Sequence, residues 1–197
     1  AARSEKNLKR AEEWGLKAVD SPACSPETDA HAPYFLATEV YLKQKKYRRM
    51  AEMLTIAEDR NPDQPLESPF RLGDVPIKTI AEGVQAYRDQ EWAKIYNNAV
   101  ELIRKEKIEK AQDQIEIAIL LQPQRGENYS TLAAIHIQNN DLEKALAVAD
   151  RGLKADDKNS VLYLLKGDLA SQNDDPNSAK DYYLKSIEYS EDPGPIM

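Results

Sequence analysis

The chain has 197 residues, of which 41% are hydrophobic, 31% are charged and only 7 are glycine, and its formal net charge is −7. A composition poor in glycine and rich in Ala, Leu, Glu and Lys favours helices over a β-sandwich or a β-barrel. The single cysteine excludes an internal disulfide framework and a cysteine-based zinc site, and no apolar run is long enough to span a membrane. The acidic charge also argues against nucleic acid as a partner.

The first third of the chain predicts a helix, a proline-rich loop and then a pair of helices. The helix is expected over 3–19, as the second half of an incomplete repeat, and the lengthened loop over 21–26. Pro33 is expected to open the next helix, and Pro62 to follow the end of its partner. Because the sequence starts with Ala1 rather than methionine, we expect a trimmed or processed piece of a longer chain whose upstream part completes the first repeat.

Residues 65–91 interrupt this pattern. Three chain-breaking residues predict an extended connection over 65–73, and Asp74 is then expected to cap a helix. Apolar residues at helical spacing continue without a breaker to Leu102, which predicts one long helix from about residue 75 to about 104. A bent pair of helices is the alternative.

Small residues recur with a period of 34 residues in the second half of the chain. Three columns share this spacing: Ala99, Ala133 and Gly167; Ala111, Ala145 and Ala179; and Ala118, Gly152 and Ser186. Small side chains recur where two helices approach closely, so the period predicts a stack of repeated helix pairs. Asp141, Ser160 and Asp175 are predicted to cap helices within it.

This pattern resembles the tetratricopeptide repeat (TPR) family. Residues 126–159 carry the family's columns as Tyr129, Leu132, Ala133, Ala145 and Gly152. The same columns read Tyr163, Lys166, Gly167, Ala179 and Ser186 in the next unit, and Ile95, Asn98, Ala99, Ala111 and Ala118 in the preceding one. An earlier unit reads Tyr34, Ala37, Thr38, Tyr41, Met50 and Ala57. Lys166, Asn98 and Met50 depart from the family's residues, which loosens individual contacts without breaking the period.

The resemblance implies an all-α, right-handed α-solenoid of TPR helix-turn-helix repeats with one long helical insertion. The whole chain, 1–197, is then a single solenoid domain with a concave groove. Its predicted parts are a partial repeat and loop over 1–30, full units over 31–64, 92–125, 126–159 and 160–193, and the insert over 65–91.

In TPR proteins the first helix of each unit lines the concave groove, and the family's inward positions can be carried onto this chain. They are Phe35, Glu39, Leu42, Tyr96, Val100, Ile103, Arg104, Ser130, Ala134, Ile137, Gln138, Leu164 and Asp168. This mixed, partly apolar face suits an extended or helical peptide held by a few anchors. The lysine, asparagine and arginine clamp of chaperone-tail receptors is absent. Each of these residues could instead contact a neighbouring helix, and the insert could fill part of the groove.

The sequence carries few groups arranged for reaction chemistry. His136 stands in a packing column, and His31 lies in a predicted loop with no cysteine or histidine at metal-ligand spacing. Cys24 has no neighbouring base, and no phosphate loop or hydrolase motif occurs. We therefore predict no catalytic residue, no metal and no cofactor.

The sequence thus predicts a non-catalytic scaffold that binds a protein or peptide partner in the groove. Three alternatives remain: a structural solenoid that pairs through its ends into a homo-oligomer, an accessory domain of a larger exported protein, and an enzyme or ligand-binding domain, which no residue pattern favours. The sequence fits a location in the cytoplasm and one in the bacterial cell envelope or periplasm equally. TPR segments of exported lipoproteins are an analogy for the envelope location.

Overall fold

A computed structural model describes residues 2–25 and 28–190. The chain divides between Ala93 and Lys94 into two compact units. The described residues are mostly helical with one small sheet, which confirms the predicted helical class. No helix among them is both long and apolar enough to cross a membrane.

Unit 1 contains three helical segments, a β-hairpin and the start of a long helix. Their bounds are α1 Ala2–Val19, α2 His31–Phe35, α3 Tyr47–Arg60, β1 Pro65–Leu72, β2 Val75–Thr79 and α4 Ile80–Arg104. The helix of α2 continues without a break as a π-helix over Leu36–Tyr41, and a short 3-10 turn spans Pro22–Cys24. The predicted loop over 21–26 lies partly outside the described residues, as does the side chain of Cys24.

Unit 2 continues α4 and adds five helices that pack in sequence. They are α5 Ile108–Leu121, α6 Gly126–Gln138, α7 Leu142–Ala155, α8 Ser160–Gln172 and α9 Pro176–Glu188. Each helix contacts the next from α5 to α9, and α6 also contacts α8. This order is the one that the 34-residue period predicts for stacked helix pairs.

The insert is where the sequence prediction fails. The predicted connection over 65–73 is extended, but it is strand β1, and it pairs antiparallel with β2. The predicted helix over 75–104 is a single continuous helix, but it begins at Ile80, so Asp74 lies in the hairpin turn and does not cap it. Gly73 takes a positive φ of 59° in the two-residue loop between Leu72 and Val75, and this geometry suits a tight hairpin.

A capping box sets the true start of α4. The Thr79 hydroxyl oxygen accepts from the Glu82 N–H at 3.4 Å, and the Glu82 carboxylate accepts from the Lys78 and Thr79 N–H groups at 2.6 and 3.1 Å. The T-x-x-E spacing satisfies otherwise unpaired donors at the helix start. The helix therefore begins after this box rather than in the proline-containing stretch around Pro76.

Two further terminus predictions are wrong by one or two residues. Asn159 rather than Ser160 caps α8, since its side-chain oxygen accepts from the Leu162 N–H at 3.0 Å. His31 is not in a loop but is the first residue of α2, ahead of Pro33. The Asp141 and Asp175 caps are confirmed: their carboxylates accept from the Lys144 and Ser178 N–H groups.

One turn geometry joins the two helices of four successive pairs. In each turn one non-glycine residue has a left-handed φ of 56–59°: Lys45, Glu106, Asn140 and Asp174. The next N–H then donates to a carbonyl five residues back, as from Lys107 to Leu102 and from Asp141 to His136, at 2.9 and 2.8 Å. This pattern closes a helix as a Schellman motif. The last three of these residues lie 34 residues apart, so the period is present in the backbone as well as in the side chains.

Each unit has its own hydrophobic core. The core of unit 1 is built around side chains that solvent does not reach, such as Leu36, Met50 and Leu54. The core of unit 2 contains Ile115 and Leu162 together with small residues of the repeating columns. Ala111 and Ala145 are fully buried and Ala179 is 5% exposed, as predicted for close helix contacts.

Candidate functional site

Most of the predicted groove positions belong to unit 2, where they lie on the first helix of each pair. Among them Arg104, Ala134, Ile137, Gln138, Leu164 and Asp168 are exposed, and Tyr96, Val100, Ile103 and Ser130 are half-buried. We call these ten residues the first-helix face. Because α6 contacts α8, the α6 and α8 members belong to neighbouring helices.

Some members of the first-helix face already have partners within unit 2. The Tyr96 hydroxyl lies 2.9 Å from the Thr131 hydroxyl of α6, and Tyr96 and Ile103 also pack against the core. Asp168 accepts from the Tyr183 hydroxyl of α9 at 2.9 Å, and this hydrogen bond raises the pKa of Tyr183. Two apolar members of the face are exposed: Ile137 is 36% exposed and Leu164 47% exposed.

The remaining groove positions lie in unit 1, beside the hairpin. Phe35 is 44% exposed, and Leu42 packs against the core. Glu39 is exposed and forms an ion pair with Lys43, one helical turn on, at 2.5 Å. Phe35 and Glu39 also line a cavity of about 240 Å3.

This cavity, which we call the hairpin cavity, lies between α2 with its π-helical continuation, strand β1 and one residue of α4. It is lined by His31, Tyr34, Phe35, Thr38, Glu39, Leu66, Glu67, Ser68, Phe70 and Tyr87. Tyr87 is the central ring of an aromatic cluster, with Tyr34 at 6.1 Å and Phe70 at 6.0 Å between ring centroids. Such tilted and edge-on pairs are the favoured aromatic geometries.

Two tyrosines of the cavity stay protonated across the physiological range. Burial, and then the neighbouring Tyr87 and Glu39, raise the pKa of Tyr34. Burial and Glu39 raise the pKa of Tyr87 as well. The Tyr34 hydroxyl is buried and has no hydrogen-bond partner in the described part of the chain. It faces α4 at Gly83, where a Cβ would stand 2.3 Å from the hydroxyl oxygen.

A hydrogen-bond network fixes His31 at one end of the cavity. The Ala30 N–H donates to Gln64 Oε1 at 2.7 Å, which orients the Gln64 amide so that its Nε2 faces Asp29 at 2.9 Å and His31 Nδ1 at 3.1 Å. His31 Nε2 donates to the Pro65 carbonyl at 2.8 Å, and Nδ1 also lies 3.3 Å from the Asp29 carboxylate and 3.9 Å from that of Glu67.

Asp29 carries the negative charge of that network. Burial alone would raise its pKa, but hydrogen bonds from the His31 N–H and the Gln64 amide, with the nearby His31 and Arg60, hold the pKa below its usual value. The carboxylate therefore stays ionised and orients the entry into α2. His136, in contrast, is 7% exposed within unit 2, which confirms its prediction as a packed residue.

Of the residues that line the cavity, only Phe35 and Glu39 are predicted site residues from the sequence. The reason is an irregularity in β1: Pro65 pairs with Thr79 and Phe70 with Ile77, so residues 66–69 stand outside the ladder. Bulges of this kind redirect side chains, and here Leu66, Glu67 and Ser68 line the cavity. No local pattern of the sequence marks such a bulge. No cluster of three or more His, Cys, Asp or Glu suited to a metal occurs among residues 2–25 and 28–190.

The architecture of unit 2 is that of a helix-turn-helix repeat protein, and comparison with known proteins identifies the repeat. Residues 161–193 match the model of the family described as tetratricopeptide repeat. The chain therefore contains a tetratricopeptide repeat over these residues, which confirms the resemblance for the last of the predicted units.

Several solved structures are similar to this chain at low identity. A crystal structure of MamA is 14% identical, covering 95% of this chain and 91% of its own, with a TM-score of 0.44. MamA from Desulfovibrio magneticus RS-1 is also 14% identical, with 95% and 91% coverage and a TM-score of 0.45. YrrB, described as a TPR protein with an unusual peptide-binding site, is 18% identical, with 96% and 81% coverage and a TM-score of 0.43. No curated protein matches the sequence.

Proposed function

We propose that this chain is a non-catalytic protein-interaction scaffold that binds a partner segment on the first-helix face of unit 2. One observation carries the proposal: neighbouring helices α6 and α8 expose the apolar side chains of Ile137 and Leu164, while Tyr96 and Val100 of α4 remain half accessible. Apolar anchors surrounded by polar residues such as Gln138 are what a helical or extended peptide needs.

Tetratricopeptide repeats serve as protein-binding modules, so the repeat over 161–193 supports the same function. Its first helix, α8, supplies Leu164 and Asp168. Asp168 is already held by the Tyr183 hydroxyl, so we assign it to orienting α9 rather than to partner recognition. Affinity is then expected to depend on the few apolar anchors rather than on total contact area.

The experiment is an affinity pull-down that compares the wild-type chain with Ile137→Asp and Leu164→Asp variants. Leu146→Asp is the matched control, because Leu146 is a comparably exposed leucine (38%) on the second helix α7. We expect partners captured by the wild type to be lost from the two face variants and retained by the control. Partners retained by all three folded variants would contradict the first-helix face as the binding site.

A homo-oligomer is the second candidate, and the outer side of α9 favours it. Leu184 is 54% exposed and Ile187 46% exposed, and both line an open cavity of about 370 Å3 together with Ala179 and Tyr183. A second copy of the chain could cover these side chains, as neighbouring repeats do. Light scattering at high concentration tests it: a monomeric wild type would eliminate this candidate, while a dimer that Leu184→Asp abolishes would support it.

A further inference from the structure

We propose that the hairpin cavity of unit 1 is a binding site for the alkylammonium side chain of a lysine in an extended segment of a partner protein. The cavity combines aromatic walls, carboxylates at its rim and a volume of about 240 Å3. The site uses none of the residues of the first-helix face, so this proposal can be tested independently of the function proposed for unit 2.

The aromatic walls provide the first part of the recognition. Tyr34, Tyr87 and Phe70 form a chain of rings about 6 Å apart, and Phe35 adds a fourth, partly exposed ring. Ring faces attract cations held within about 6 Å of the centroid, and they also cover the methylene groups of a lysine stem. The two tyrosines remain uncharged phenols, so the walls are apolar surfaces with a negative ring face.

The charges of the cavity select a cation over an anion. Glu39 and Glu67 both contribute to its lining, and no lysine or arginine does within the described part of unit 1. His31 adds no net positive charge to the cavity, because its Nδ1 lies 3.3 Å from the Asp29 carboxylate, which balances the ring when it carries a charge. Lys43 pairs with Glu39, but that pair is exposed to water and weak enough for an incoming ammonium group to compete.

Size and opening favour a side chain of a protein segment over a free small molecule. The volume is below the roughly 300–1,000 Å3 of pockets that enclose drug-sized ligands, so it suits a single side chain. The rim is open, since the Glu67 side chain is 80% exposed and Phe35 is 44% exposed. A peptide backbone can therefore pass outside while one side chain enters between β1 and α2.

The test is an NMR titration of the full chain with the peptide acetyl-Ala-Ala-Lys-Ala-Ala-amide. The matched peptide carries norleucine instead of lysine, which keeps most of the apolar stem and removes the charge. We expect the lysine peptide to shift the backbone amides of residues 35–39 and 66–68. The norleucine peptide should bind about tenfold more weakly, and added salt should weaken the binding of the lysine peptide only.

Variants then assign the effect to the cavity. Glu67→Gln removes a rim charge from an exposed side chain, and Phe35→Leu removes a ring but keeps an apolar group. Each is expected to weaken lysine-peptide binding by about fivefold, the scale of one exposed charge pair or one cation–π contact. Glu52→Gln is the matched control, because it breaks the exposed Arg49–Glu52 pair, which does not line the cavity.

Three results would overturn the proposal. They are equal binding of the two peptides, unchanged binding in both cavity variants, and tetramethylammonium binding as tightly as the lysine peptide. The last would assign the site to a free small cation rather than to a protein segment. Loss of partners from the first-helix variants in the pull-down would leave this titration unchanged, so the two proposals fail separately.

Discussion

Gly152 shows most directly how a single residue sets the distance between helices. A Cβ placed on it would stand 2.5 Å from Leu162 Cδ1 and 2.6 Å from Tyr129 Cβ. The same column holds Ala118, which is fully buried, so the repeat admits only small residues here. The period of small residues in the sequence therefore marks the positions where helices pack closely within unit 2.

We predict that Gly152→Ala destabilises the protein by about 1–3 kcal/mol, because the added methyl group forces Leu162 and Tyr129 to move in a packed core. The measurement is chemical denaturation. In a Leu162→Ala background, Gly152→Ala should reduce the free energy of unfolding by less, since the nearest clashing atom is then gone. Strictly additive effects of the two changes would contradict this explanation.

A second residue-scale prediction concerns the left-handed turn positions. Glu106→Gly should stabilise the protein by about 0.5 kcal/mol, because relief of left-handed strain exceeds the entropy that glycine adds to the unfolded chain. Asn140→Gly should have almost no effect, since asparagine tolerates this conformation well. Thermal denaturation of the two variants tests this difference. Equal shifts in their melting temperatures relative to wild type would contradict the role of left-handed strain at Glu106.

At the scale of elements, the hairpin and α4 show how a short motif decides a boundary. Alternation at Val75 and Ile77 makes β2 a strand with only Ile77 buried, and the capping box at Thr79 then starts the helix. The long apolar period from residue 77 onward misled the sequence prediction because Ile77 fits a helical face as well as a strand face. The T-x-x-E signal was present in the sequence and would have corrected the start by five residues.

The capping box also predicts a pH dependence. Hydrogen bonds from the Lys78 and then the Thr79 N–H groups hold the pKa of Glu82 below its ordinary value of 4.5. A carboxyl group with a lowered folded-state pKa stabilises the fold above its unfolded-state pKa, and this stabilisation is lost as the pH falls through the folded-state value. Wild type should therefore be more stable than Glu82→Gln at pH 7, and the difference should shrink as the pH falls below 4.5. Denaturation at pH 7 and pH 3 measures it, and a difference independent of pH would refute the assignment.

At the scale of the whole molecule, the two units have separate hydrophobic cores. We predict that Leu54→Ala in unit 1 and Ile115→Ala in unit 2 each reduce stability by about 2–5 kcal/mol, since both side chains are fully buried. Hydrogen exchange should show the largest loss of amide protection within the substituted unit, because protection follows local packing. Equal loss in both units from either variant would show one cooperative core instead.

The sequence by itself determined the helical class, the 34-residue period and the burial of Ala111, Ala145 and Ala179, because these depend on local propensity and on spacing along one helix. It also identified Asp141 and Asp175 as caps, which act over three residues. The tertiary structure decided that Phe35 and Glu39 meet Glu67, Phe70 and Tyr87 around one cavity. That arrangement depends on the bulge of β1 and on the network through Gln64, whose contacts join residues more than thirty positions apart, and no local pattern encodes which distant partners will pack together.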